Sequence, residues 1–126
     1  MNAETSRLMK ISDLHFDRKN PRLAEFNLTD DSKESEVMEI LWEAMDVEEL
    51  TMSIAASGFF RHEPVLVAEE NGRHVVIEGN RRLAAVKLLL NPNLVPGLAK
   101  SIPGIGKDAK KALQEIPAIS STREKA

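Results

Sequence analysis

Residues 75–90 read VVIEGNRRLAAVKLLL. A run of β-branched residues stops at Gly79, two arginines follow, and an apolar helical pattern begins at once. The start of a helix carries unpaired N–H groups and partial positive charge, so it repels cations and attracts anions. Two fixed guanidinium charges at such a place imply a negatively charged partner. A glycine at the turn gives backbone room to approach a ligand, and arginines bind phosphate oxygens in bidentate fashion. Gly79, Asn80, Arg81 and Arg82 therefore read as a phosphate-binding corner, with Glu78 as the acidic residue beside it. The plain alternative is a tight turn in which Glu78 pairs with one arginine and the other is solvated, because exposed ion pairs are common and weak.

Upstream, residues 64–79 read PVLVAEENGRHVVIEG, two β-rich runs around Asn71 and Gly72. That pair tolerates the positive φ angles of a type I′ turn, so a hairpin is predicted. Downstream, residues 80–91 are apolar on almost every side, the pattern of a buried helix, which the Asn91-Pro92 pair ends. Earlier in the chain, LMKISDL (residues 8–14) alternates like a strand, and HFDRKNPR (15–22) reads as a loop in which Pro21 makes Asn20 extended. Asp31 with Glu34 has the spacing of a capping box, before Val37, Ile40, Leu41, Ala44 and Met45 at helical spacing. Asp46 with Glu49 repeats it, and Gly58 stands where a C-cap glycine ends the second helix. Residues 92–107 read as loop, 108–115 as a short helix and IPAIS (116–120) as a last strand. The final residues lack a closing signal, the pattern of a chain cut from a longer one.

A length of 126 residues suits one domain with one core. Apolar residues make up 42% and charged ones 29%, and no apolar run reaches the ~18 residues of a membrane span. The N-terminus has no apolar leader and the chain has no cysteine, so a cytoplasmic location without disulfides or thiolate chemistry is expected. A net charge of −3 provides no overall basic field for nucleic-acid phosphates, and few aromatics are present for base stacking.

At residues 79–82 the sequence resembles the N-terminal domain of ParB-type proteins, in the ParB/sulfiredoxin superfamily, whose Gly-Glu-Arg-Arg motif binds nucleotide phosphates. LMKISDLHFDRKNPR is similar to the family's opening strand and Asn-Pro-Arg segment, and ELTMSIAASGFFRHEPVLV (49–67) to its helix, glycine, proline and strand. These blocks cover about residues 8–91. The resemblance implies a single α/β (α+β) domain, a small mixed sheet flanked by helices. It also implies a bound nucleoside triphosphate, CTP or ATP, with Mg²⁺, acting as a switch in a DNA-associated protein. DNA contact would be indirect or through regions outside this chain, no membrane is involved, and a homodimer stays open.

Two departures stand out. The motif's acidic position is Asn80, which puts hydrolysis in question and leaves Glu78 as the candidate catalytic carboxylate. The segment 58–64 is longer than the family's usual one, so GFFRHEP is this chain's own variant. The absence of cysteine excludes sulfiredoxin chemistry. A metal-dependent ParB-like nuclease using Glu78, with Glu63 and Asp13 folding close, is the enzymatic alternative. A domain that only joins partners is the third.

Arg22 reaches the phosphates if its loop folds over the corner, and is otherwise solvated. Gly58, Phe60, His62 and Pro64 are candidate lining of a nucleobase pocket, although Phe59 and Phe60 fit better as core plugs than as base-stacking rings, and the alternative for His62 is an exposed loop tip. His15 and His74 lack a supporting carboxylate pattern, and no metal ligand set is assigned. Trp42 reads as a core or interface residue. IPGIGKDAKKAL (102–113) is similar to the turn of helix-hairpin-helix modules, or is an ordinary connection.

Overall fold

A computed structural model describes residues 6–29, 31–59 and 63–121. Five strands, β1 (Arg7–Lys10), β2 (Leu14–Phe16), β3 (Val65–Glu70), β4 (Arg73–Glu78) and β5 (Glu115–Ser120), form one mixed sheet in the order β1-β5-β3-β4-β2. Among the described residues four α-helices accompany it: α1 (Glu34–Ala44), α2 (Val47–Ser57), α3 (Asn80–Leu90) and α4 (Lys107–Leu113). This is the mixed sheet with flanking helices that the sequence implies.

The hairpin forms as predicted, with φ of 55° at Asn71 and 77° at Gly72. It joins β3 and β4 antiparallel, with a register shift between Leu66 and Val67. Helix α3 is the hub. Leu83, Ala84, Ala85, Val86, Leu88 and Leu89 are all buried, and the helix contacts α1, α2, α4, β2 and β4. Its Lys87 is buried too, with Nζ 2.9 Å from Glu34 on α1 and 5.5 Å from the Phe16 ring centroid.

The expected strand over 8–14 is divided. Ile11 is buried and its N–H donates to Gln114 C=O at 2.8 Å, so the chain turns through a 3-10 segment, Ile11–Asp13, between β1 and β2. Those two strands lie at opposite edges of the sheet. Four residue steps span at most ~14 Å, whereas the edges of a flat five-stranded sheet stand ~19 Å apart. The sheet must therefore curl until its edges approach.

At α1 the cap is two residues later than expected. The helix starts at Glu34, and the Lys33 N–H donates to Glu36 Oε1 at 3.1 Å, while Asp31 does not cap it. Asp46 does precede α2 as its N-cap residue, but in left-handed conformation and without a side-chain bond. Gly58 ends α2 at φ 82°, its N–H donating to Ile54 C=O at 2.7 Å. Residues 92–101, expected as loop, include two 3-10 segments, Pro92–Leu94 and Pro96–Ser101.

The last strand is central: β5 pairs antiparallel with β1 and parallel with β3. Pro117 is tolerated there because the ladder to β3 begins one residue later, at Ala118. The fold thus runs well past residue 91, and a single hydrophobic cluster links Met9 on β1 to Ile116 and Ala118 on β5.

Candidate functional site

The turn from β4 into α3 forms the floor of a cleft of about 590 Å³, within the ~300–1,000 Å³ usual for small-molecule sites. Gly79, Asn80, Arg81 and Arg82 line it together with Glu78, Arg22, Asn20 and Glu63. Leu41 and Met45 from the α1 region and Leu50 from α2 give it an apolar wall. Arg22 and Arg81 also line an adjoining groove of about 390 Å³ with Glu43 and Asp46.

Three arginines and two glutamates thus face one space. Leu83 is the first residue of α3 whose N–H bonds back along the helix, to Gly79 C=O at 2.9 Å, so the N–H groups before it have no intrahelical acceptor. Arg82 is held on one side by the Glu63 backbone carbonyl, to which its Nη1 donates, and on the other by the Phe59 ring, 5.8 Å away. Its half-buried position lowers its pKa from the ordinary value, and the charges of Glu63 and Glu78 oppose that shift. Arg81 donates to Asp46 C=O at 3.3 Å, and its Nε is buried without a hydrogen-bond partner among the described residues.

Gly79 has φ 108°, and an added Cβ would meet Val65 Cγ1 at 2.6 Å and Arg82 Nη2 at 3.2 Å. The glycine is therefore demanded by the packing of the turn against β3, a reason distinct from the ligand approach that its motif suggests. The Asn80 side chain is buried and engaged at both ends: Oδ1 accepts from the Asp17 N–H at 3.2 Å, and Nδ2 donates to Val76 C=O at 2.8 Å.

Of the residues selected from sequence, Glu78, Gly79, Asn80, Arg81, Arg82 and Arg22 are brought together. Gly58 and Pro64 do not line the cleft, because one ends α2 and the other leads into β3. Phe60 and His62 lie outside the described residues. Phe59 is half-buried against the core, as a plug would be, and Trp42 packs there also. Asp13 stays in its 3-10 segment, away from the cleft lining. His15 and His74 are on adjacent strands, but their register, His15 opposite Val75 and His74 opposite Leu14, puts them on opposite faces. Asn20 was marked in the sequence by its place before Pro21 and in the Asn-Pro-Arg segment, without a site role, and Met45 and Leu50 only as members of apolar stripes.

A mixed α/β domain with a cationic strand-to-helix cleft is the class that these features define. The chain matches no known family profile and no curated protein. Among solved structures it is similar to the C-terminally truncated chromosome-partitioning protein ParB from Caulobacter crescentus complexed with CTP-gamma-S, with a TM-score of 0.51 and 18% identity. The match covers 95% of this chain and 46% of that one, so the chain spans about half the length of its solved neighbour. The fold is that of a ParB N-terminal domain.

Proposed function

We propose that the chain is a nucleotide-binding domain of a ParB-like, DNA-associated cytoplasmic protein, in which the 79–82 corner holds the phosphates of a nucleoside triphosphate. The observation that carries this is the convergence of Arg22, Arg81 and Arg82 with the free end of α3 in one cleft. Guanidinium groups supply charge and bidentate donors, and the helix start supplies N–H groups. The similarity to a ParB solved with CTP-gamma-S makes CTP the first candidate and ATP the second. Among the described residues no three His, Asp or Glu side chains gather to hold a metal. Mg²⁺ would be held here chiefly as a companion of the triphosphate, by phosphate oxygens and retained waters with Glu63 or Glu78 within the same cleft, in the way this hard ion is commonly bound.

The test is calorimetry with the four ribonucleoside triphosphates, with magnesium and with EDTA. One of them binds, and Arg81→Ala and Arg82→Ala each weaken binding about tenfold or more, a lost charge-assisted contact being worth ~1.5–3 kcal/mol, while the circular dichroism spectrum is unchanged. Unaltered affinity in both variants refutes the assignment. One observation favours a second reading: Glu63 and Glu78 line the same cleft as the arginines, the composition of a phosphodiester-cleaving site. Metal-dependent DNA cleavage that Glu78→Gln abolishes would select it. A protein that neither binds nucleotide nor cleaves DNA would be left with the partner-joining role, alone or as a homodimer.

A further inference from the structure

We infer that Asn80 is a positioning residue, tying the floor of the cleft to the segment that carries Arg22. Its side chain sits at the junction of three elements: the end of β2, the interior of β4 and the first turn of α3. The residue is only 5% exposed, and both ends of its amide are used. The Asp17 N–H needs an acceptor and the Val76 C=O needs a donor, which one neutral amide supplies together. A carboxylate only accepts, and would set its lone pairs against the Val76 oxygen. Asparagine at the position where the resembled motif has an acid is therefore a different duty and not merely a lost charge.

From Asp17 the restraint continues to Arg22. Asp17 Oδ1 accepts from the Lys19 N–H at 3.0 Å, and the Asp17 carbonyl accepts from the Asn20 N–H at 3.3 Å. Asn20 Oδ1 then accepts from the Arg22 N–H at 2.9 Å, and the Asn20 carbonyl from the N–H of Leu23, which is itself buried. Each step fixes a backbone group in residues 17–23, a loop that runs into the 3-10 segment Pro21–Phe26 with Asn20 as its N-cap and that makes no ladder pairing. Asn20 and Arg22 line the same cleft as Asn80, so the relay leaves the phosphate corner and returns to it. Phosphates bridging Arg22 and Arg81 would thereby be coupled to the Asn80 amide, and this consequence rests on the nucleotide-binding proposal above.

The experiment uses Asn80→Asp, Arg22→Ala and the double variant, with CTP and magnesium as the probe. Hydrogen exchange at the Asp17 amide is followed in parallel. In Asn80→Asp at neutral pH, Asp17 exchange accelerates about tenfold and CTP binding weakens about five- to tenfold, the worth of one buried hydrogen bond. Both losses reverse as the pH falls towards ~5, because a protonated carboxyl regains a donor; the parent protein at each pH removes the contributions of Asp17, Glu63 and Glu78. In the Arg22→Ala background the binding loss shrinks. Unchanged Asp17 exchange in Asn80→Asp overturns the positioning role, and an equal binding loss in both backgrounds overturns the link to Arg22. Failure of the unaltered protein to bind CTP, with Asp17 exchange still accelerated in the variant, would overturn the nucleotide reading and leave the positioning role standing.

Discussion

His15 shows how a single side chain makes the fold sensitive to pH. Its Nδ1 lies 3.1 Å from an Arg73 guanidinium nitrogen, which donates to it and so favours the neutral ring. Partial burial, then Arg73, Lys87 and Arg18 lower its pKa below the ordinary 6.5, and only Glu34 opposes them. Below pH 6.5 the unfolded chain binds the proton more readily than the folded one, so the contribution of His15 to stability is intact above that pH and lost as pH falls through it. A His15→Gln variant should therefore lose less stability than the parent between about pH 7.5 and 5.5, measured by urea unfolding at each pH. Equal losses would remove His15 from the account. Its partner Arg73 was not legible from sequence, because 58 residues separate the two and only the β2–β4 pairing joins them. Arg81 and Arg82 were legible, since a turn and the helix it starts are adjacent in the chain. The engagement of Asn80 was not, because Asp17 stands 63 residues away.

Among the elements, α3 is the one that the others depend on, and its buried cation is its most exacting feature. The Lys87 side chain is 10% exposed and Glu34 33%. Removing Glu34 leaves the ammonium group in the core facing the Phe16 ring, with no other ion pair among the described residues. Glu34→Ala should cost about 2 kcal/mol in denaturant unfolding, below the ~3–5 kcal/mol of a fully buried pair because Glu34 is partly hydrated. Adding Lys87→Met should recover most of that loss, as apolar replacement of a buried pair commonly does. A double variant as unstable as the single one would show that the charge was not the cost. Elements governed by local chemistry were readable: the Asn71-Gly72 turn, the apolar run of α3 and the Gly58 stop. The α1 start was misplaced because Asp31 and Lys33 both precede plausible first turns, and the Glu36 carboxylate decides between them through the Lys33 N–H. The strand over 8–14 was misread as continuous because alternation persists through a turn whose cause is Ile11 bonding to distant Gln114.

At the scale of the whole molecule, the order of strands was not written in any local pattern. Residues 116–120 read as a terminal strand of no special standing, yet β5 separates β1 from β3, and Ile116 and Ala118 are completely buried. A chain ending at Gln114 would leave β1 without a ladder partner, strip β3 of one of its two neighbours and open the core beside Met9, Val65 and Val67. That variant should show no cooperative thermal transition, and a peptide of residues 115–121 added in trans should restore one. A cooperative transition in the truncated chain alone would refute the central role of β5. The same placement bears on how the protein is made. Translation delivers β1, β3 and β4 before β5, so the nascent polypeptide leaves the ribosome with β1 unpaired and one edge of β3 displaying bare amide and carbonyl groups. Until residue 120 emerges, that edge is open to any passing extended segment, the hazard that an uncovered strand edge carries.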